Sequence, residues 1–150
     1  MPAIQSTYTT MSAARAGQIA DMQESYNAFS RTVSTAAGID FGAPVQRGAS
    51  DGLAKAIGDG SATTFLGVAV RTQSRDANNA DKFAQYEDVR ILDKGTIWVT
   101  ASVAVTQGDS VYFVTATGAW TNSATSSTSV ANAVWDTTTS GAGLAILRLK

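Results

Sequence analysis

The sequence lacks the side chains on which catalysis most often depends, because its 150 residues include neither histidine nor cysteine. Histidine is the commonest general base and metal ligand, while cysteine supplies thiolate nucleophiles, disulfides and zinc ligands. Neither a Ser-His-Asp nor a Cys-His arrangement can be built from this chain. We therefore expect no catalytic residue, no bound metal ion and no cofactor, and a protein that is not an enzyme.

The twelve carboxylates are the remaining candidates for chemistry, and they are spread along the chain. Glu87 and Asp88 are adjacent, so on a strand they would point to opposite faces and could not act as a pair. The segment "DANNAD" (76–81) resembles the start of a calcium loop, with Asp76 and Asn78 in the first two ligand positions. Ala80 stands in the third position, and the turn glycine and closing glutamate are missing. These patterns favour surface charges and a solvated loop.

Three short glycine motifs could be mistaken for binding loops. "GDG" (58–60) and "GAG" (141–143) do not continue into a phosphate-binding pattern, and "QGD" (107–109) falls between two predicted strands. All three are predicted to be turns or bends.

The aromatic residues offer one alternative function. Trp98, Trp120, Trp135 and Tyr112 could form a platform on which sugar rings stack, which would make the chain a β-sandwich ligand- or carbohydrate-binding module. Large aromatic side chains are more often packed into the core of such folds, and we favour that interpretation.

Composition indicates a β-rich domain without an affinity for nucleic acid or membranes. Serine and threonine together number 34, against 15% charged residues, a balance that favours strands and turns over charged helices. The net charge is −1 and the basic residues are scattered, so no basic patch for nucleic acid is expected. There is no apolar run of membrane-spanning length and no signal-peptide pattern, which predicts synthesis in a cytoplasm without export.

Short strands separated by glycine-bearing turns follow one another along most of the chain. Residues 63–72 form a strong strand pattern, a β meander begins at Phe83, and "LAILRLK" (144–150) reads as a closing strand. Pro44 places the segment 39–48 at an edge or a bend. We predict one all-β domain over residues 1–150, folded as a jelly-roll-like sandwich or a small barrel.

The N-terminal third is ambiguous from pattern alone. Ile19, Met22, Tyr26 and Phe29 recur at helical spacing, whereas Gly17 and the β-branched segment 31–35 oppose a helix. Residues 12–31 are therefore either helical or extended, and residues 1–38 are either an N-terminal arm or the first strands.

The segment "VRILDKGTIWV" (89–99) predicts a hairpin with a three-residue Asp-Lys-Gly loop. Val89, Ile91, Ile97 and Val99 would then share the core face. Arg90, Leu92, Thr96 and Trp98 would share the other face, with Arg90 opposite Trp98 in a possible cation–π contact. Such an apolar second face is either covered by a loop or by the N-terminal segment, which we favour, or it docks a partner. The candidate interface residues are Arg90, Leu92 and Trp98, with Tyr112 as a weaker member.

Taken in order, several segments resemble the cement or decoration proteins of tailed bacteriophage capsids. The segments are "AGQIAD" (16–21), "IDFGAPV" (39–45), "FLGVAVRT" (65–72), "QYEDVRILDKGTIWV" (85–99), "VAVTQGDSVYF" (103–113), "TGAWTN" (117–122) and "GAGLAILRL" (141–149). No segment is specific by itself, and the resemblance rests on the ordered set, which covers nearly the whole chain.

The resemblance implies a jelly-roll-like or barrel-like β fold with an extended N-terminal segment. It also implies binding to the major capsid protein on the outer surface of the virion, commonly as a homo-oligomer, either a dimer or a trimer. The family has no catalytic motif, so no functional residue can be carried over to this sequence.

Overall fold

The computed structural model describes residues 14–21, 27–60, 64–72 and 81–150. Within these ranges the chain forms strands and no helix, which confirms the predicted all-β class. The strands are β1 (Asn27–Val33), β2 (Ile39–Asp40), β3 (Pro44–Arg47), β4 (Leu53–Ala56), β5 (Phe65–Ala69), β6 (Lys82–Phe83), β7 (Asp88–Ala101), β8 (Ser110–Val114), β9 (Trp120–Thr121), β10 (Ser127–Trp135) and β11 (Gly143–Leu149).

Strand pairing closes the main sheet into two rings that share β7. The first ring runs β1-β4-β3-β5-β7 and closes because β7 pairs with β1. The second ring runs β7-β11-β10-β8-β9 and closes because β9 pairs with β7. Strands β2 and β6 form a separate two-stranded sheet. The sequence predicts either a jelly-roll-like sandwich or a small barrel, and these closed rings correspond to the small barrel.

Each ring has its own hydrophobic core. The core associated with the first ring contains Val33, Ile39, Phe41, Val45, Ala54, Ala69, Phe83, Val89 and Ile91. The larger core of the second ring is built around Ile97, Val99, Val111, Phe113, Trp120, Trp135, Ala145 and Leu147. A buried hydrogen bond of 2.7 Å from Trp120 Nε1 to the Gly42 carbonyl connects the second core to the turn before β3.

The predicted hairpin at 89–99 is wrong, because these residues lie within the single continuous strand β7. Residues 88–94 pair with β1, whereas residues 95–101 pair with β11. Asp-Lys-Gly favours a turn locally, but distant strands supply partners on both sides of this segment, and their pairing overrides the local preference. Gly95 lies at the change of partner with a φ of 131°.

The predicted core face is confirmed, although it serves two cores. Val89 and Ile91 are buried in the first core, and Ile97 and Val99 are buried in the second. The predicted contact between Arg90 and Trp98 is wrong. The two residues lie eight positions apart on one strand, which is roughly 26 Å of extended chain.

The described residues of the N-terminal third contain strands, turns and bends but no helix. Phe29 lies on β1, so the helical alternative is wrong for residues 27–31, and Ile19 forms an isolated bridge to Ile97. Met22 and Tyr26 lie outside the described residues. Pro44 begins β3 just after a turn, and its missing N–H is tolerated at this first position of the strand. The bend predicted for this segment is therefore observed.

Candidate docking surfaces

The adjacent carboxylates of Glu87 and Asp88 accept hydrogen bonds that stabilise the local structure. Glu87 Oε2 accepts a hydrogen bond of 2.8 Å from the Ala84 N–H, and Asp88 Oδ1 accepts one of 3.0 Å from Thr32 Oγ1. Over the described residues, no group of three or more acidic, histidine or cysteine side chains could hold a metal ion. The loop 76–80 lies outside these residues. In the parts of the chain that the structure covers, no helix has the length and apolarity needed to cross a membrane.

The "QGD" segment is the predicted turn, and it is held together by the Asp109 carboxylate. Asp109 Oδ2 accepts hydrogen bonds from Asn122 Nδ2 at 2.8 Å and from the Thr106 N–H at 2.9 Å. These two donors, the Asn122 amide first, lower the pKa of Asp109 below its usual value. These hydrogen bonds stabilise the loop between β7 and β8.

The aromatic platform considered for sugar binding is not assembled. Trp120 and Trp135 are buried within the second core, with exposed fractions of 3% and 0%. Phe113 and Trp120 pack edge to face with ring centroids 6.2 Å apart. The interpretation of these two tryptophans as core residues is therefore confirmed, and a sugar platform that includes them is wrong.

The structure separates the four predicted interface residues. Leu92 is fully buried in the second core, which corrects its assignment to a docking face. It points away from Ile91, and the second ring packs on the face that a lone hairpin would have left open. Arg90 is exposed on the first ring, while Trp98 and Tyr112 are half-buried on β7 and β8 of the second ring.

Trp98 belongs to a partly exposed strip on the outside of the second ring, which we call the outer strip. Trp98 lies opposite Ile146, and Thr100 lies opposite Leu144, which is 39% exposed. These residues point outward because their neighbours Ile97, Val99, Ala145 and Leu147 alternate with them and are buried.

The N-terminal segment runs along the edge of β7 beside the outer strip. Trp98 N donates to the Gln18 carbonyl at 2.8 Å, and Trp98 O accepts from the Gly17 N–H at 2.7 Å. This segment occupies the backbone groups of Trp98. Leu92 is covered by packing in the second core, and cover of the second face by a loop or by the N-terminal segment stays a prediction for Trp98, whose side chain is partly exposed.

Sequence reasoning missed the most exposed large hydrophobic side chain among the described residues. Tyr86 is 78% exposed and has a φ of 69°, in a turn between β6 and β7. A tyrosine next to a strand-forming segment reads as part of the strand, because aromatic residues favour strands. Its left-handed backbone carries no signal in the sequence, since glycine, asparagine or aspartate would normally mark such a position.

Two closed β rings that share one strand, with a partly exposed outer strip on the second ring, define a small all-β barrel protein. The family described as "Structural cement protein (E217 gp24/Pam3 gp6)" matches residues 4–150. The chain belongs to this family, which places it among the structural proteins of the phage capsid, and its resemblance to phage cement proteins is confirmed.

A solved structure gives independent support for the fold. A chain from "The capsid of Myoviridae Phage XM1" superimposes with a TM-score of 0.77 at 22% sequence identity. The match covers 100% of this chain and 98% of that chain. At this level of identity the likeness shows a shared fold. No curated protein matches the chain.

Proposed function

We propose that the protein binds the outer surface of the major capsid protein shell and stabilises the assembled head. The observation that carries this proposal is the match to the structural cement family over residues 4–150. A ligand that binds the assembled shell more tightly than free subunits stabilises the shell by mass action. A structural capsid protein needs no titrating catalyst, in keeping with a sequence without histidine and cysteine.

The architecture suits a protein that must remain attached in many copies. Closing both rings removes long free strand edges, which would otherwise template uncontrolled pairing between copies. A symmetric shell repeats the same weak contact many times, so modest affinity at each site is sufficient for stable decoration. We further propose that the protein docks as a dimer or trimer, which analytical ultracentrifugation of the purified protein would test.

Adding the purified protein back to shells that lack it tests the proposed function. We expect the protein to cosediment with assembled shells, to leave free capsid subunits unbound, and to raise the melting temperature of the shells. Bovine serum albumin at equal concentration controls for nonspecific protection. The proposal fails if shells neither retain the protein nor change in thermal stability.

Substitution of Trp98 tests the outer strip as a contact with the shell. We expect Trp98→Ala to weaken shell binding about tenfold or more, because tryptophans are frequent binding hot spots. Its melting temperature should fall much less than that of Leu92→Ala, which opens a cavity in the core and should cost about 2–5 kcal/mol. Arg90→Ala and Tyr112→Ala measure the contributions of the other predicted residues. If Trp98→Ala is destabilised but its folded fraction binds shells with unchanged affinity, the outer strip is not a contact with the shell.

A further inference from the structure

The chain contains two Asp-Gly pairs, Asp51-Gly52 and Asp59-Gly60, one on each side of β4. In such a pair the backbone nitrogen of glycine can attack the carboxyl carbon of the preceding aspartate, because glycine has no Cβ to obstruct the approach. The two groups belong to neighbouring residues, so the reaction is intramolecular and benefits from their proximity. An Asp-Gly pair is therefore a candidate site for the isomerisation of aspartate to isoaspartate.

The backbone conformation accounts for one of these glycines but not for the other. Gly60 has a φ of 79°, in the left-handed region that glycine adopts without strain. The φ of Gly52 lies outside that region, and nothing lies within 4 Å of a Cβ atom placed on it. Neither conformation nor packing requires glycine at position 52. The effect of this glycine is to leave its backbone nitrogen unobstructed next to a carboxyl group.

The surroundings of Asp51 leave room for the reaction. Asp51 lies in the turn that joins β3 to β4, and its side chain is 93% exposed, so water has access to it. Leu53 N donates to the Ser50 carbonyl at 3.1 Å, and Thr32 N donates to the Gly52 carbonyl at 3.0 Å. These bonds anchor the turn, and neither of them uses the nitrogen of Gly52.

We propose that Asp51-Gly52 is a site of spontaneous isomerisation, which is slowed by the ion pair between Arg47 and Asp51. The Gly52 nitrogen forms a bond to Cγ of Asp51, the C–OH bond of the carboxyl group breaks, and the hydroxyl leaves as water with the amide proton of Gly52. The product is a succinimide ring. Water then opens the ring at either carbonyl and gives aspartate again or isoaspartate, in which the main chain continues through Cγ. The protein has the same mass before and after.

Arg47 opposes the closure of the ring. Its Nη2 pairs with Oδ1 of Asp51. Ring closure consumes the carboxylate that Arg47 binds, so this contact must break before the succinimide forms. Both side chains are at least half exposed, at 50% for Arg47 and 93% for Asp51, so solvent and salt weaken their attraction. The ion pair therefore slows the reaction without preventing it.

Isomerisation would loosen the closure of the first ring. Isoaspartate adds a methylene group to the main chain before Gly52, whose carbonyl accepts the bond from Thr32 N. The pairing of β1 with β4 is short and joins Thr32 to Leu53 and Val33 to Ala54. A shift of the backbone at its first bond disturbs this pairing, so we expect the isomerised protein to melt at a lower temperature.

Ageing the purified full-length protein at physiological temperature and neutral pH tests the proposal. Trypsin digestion, labelling with isoaspartyl methyltransferase and fragmentation mass spectrometry locate isoaspartate. We expect it to accumulate at position 51 in the wild type and to be nearly absent there in Gly52→Ala, whose methyl group hinders the attack. Gly52→Ala should fold normally, because its Cβ meets no neighbour. In Arg47→Ala, accumulation should be roughly two to five times faster, which is the range that an exposed ion pair supplies.

The Asp59-Gly60 pair provides an internal comparison, because cleavage at Lys55 places the two pairs in different peptides. Neither substitution should change the accumulation at position 59. The proposal is wrong if aged wild type carries no isoaspartate at position 51, or if Gly52→Ala accumulates it there at the same rate. Equal rates in Arg47→Ala and the wild type would refute the role of the ion pair. A melting temperature that isomerisation leaves unchanged would refute the effect on the first ring.

Discussion

Gly67 shows how closely the shared strand is packed against its neighbour. A Cβ atom at this position would lie 2.3 Å from the Leu92 carbonyl oxygen and 2.7 Å from Ile91 Cγ2. Both neighbours belong to β7 and are fully buried, so neither can move aside without disturbing a core. The missing side chain is what lets β5 lie this close to β7.

We therefore predict that Gly67→Ala destabilises the fold by about 1–3 kcal/mol or more, as overpacked core positions do. Gly52→Ala is the matched control, because nothing lies within 4 Å of a Cβ placed there. Urea denaturation of both variants measures the difference. Equal stabilities would show that β5 and β7 adjust more easily than their packing indicates.

Trp98 and Trp120 show which roles of single residues can be predicted from the sequence. Alternation with Ile97 and Val99 predicts that Trp98 points away from the core, and it does. Trp120 lies on a strand of only two residues, which is too short for a pattern, so its burial was not predictable from alternation. Burial there depends on the first ring, which supplies the Gly42 carbonyl for its indole N–H.

Among the structural elements, the loop from Thr106 to Asp109 makes stability depend on pH. Hydrogen bonds from Asn122 and from the Thr106 N–H lower the pKa of Asp109 in the folded state. A depressed pKa contributes stability above the unfolded value of about 3.9, and this stability is lost as the pH falls through the folded value.

A double-mutant cycle between Asp109→Ala and Asn122→Ala should detect this linkage. We expect the two substitutions to be coupled at pH 7, where the carboxylate is charged, and the coupling to diminish at pH 2 as it becomes protonated. Thermal denaturation of the four proteins at both pH values provides the measurement. Coupling of equal size at the two pH values would mean that the charge of Asp109 is irrelevant to the loop.

Local patterns predicted individual strands better than their partners. Apolar and β-branched runs correctly located β5, β8 and β11. The alanine-containing strand β4 has no strong strand pattern of its own, and it forms because β1 and β3 pair with it from either side. The error at β7 has the same origin, since Asp-Lys-Gly predicts a turn only if distant strands are ignored. The outer strip was missed as a set because it joins β7 to β11 across more than forty residues of sequence.

For the whole molecule, the two rings depend on each other through β7. Ile91 and Leu92 are adjacent, yet the first is buried in one core and the second in the other. Unfolding of either ring would expose one side of the same strand, so neither core is closed independently. The predicted single domain is therefore expected to unfold as one cooperative unit.

Val45→Ala in the first core tests this cooperativity, because all three tryptophans lie on strands of the second ring. We predict a loss of roughly 2 kcal/mol and an equal shift of the thermal transition followed by tryptophan fluorescence and by circular dichroism. Leu147→Ala, in the second core, should shift both signals together as well. A fluorescence transition that remains at the wild-type temperature in Val45→Ala would show two independent units.

The shared strand also has a mechanical consequence. A force applied between the two ends of β7 would pull along the strand that both rings share. The ladder hydrogen bonds to β1, β5 and β11 lie across that direction, so tension would load them side by side instead of opening them one after another. A continuous strand through both rings would then transmit force from one ring to the other without a flexible linker between them.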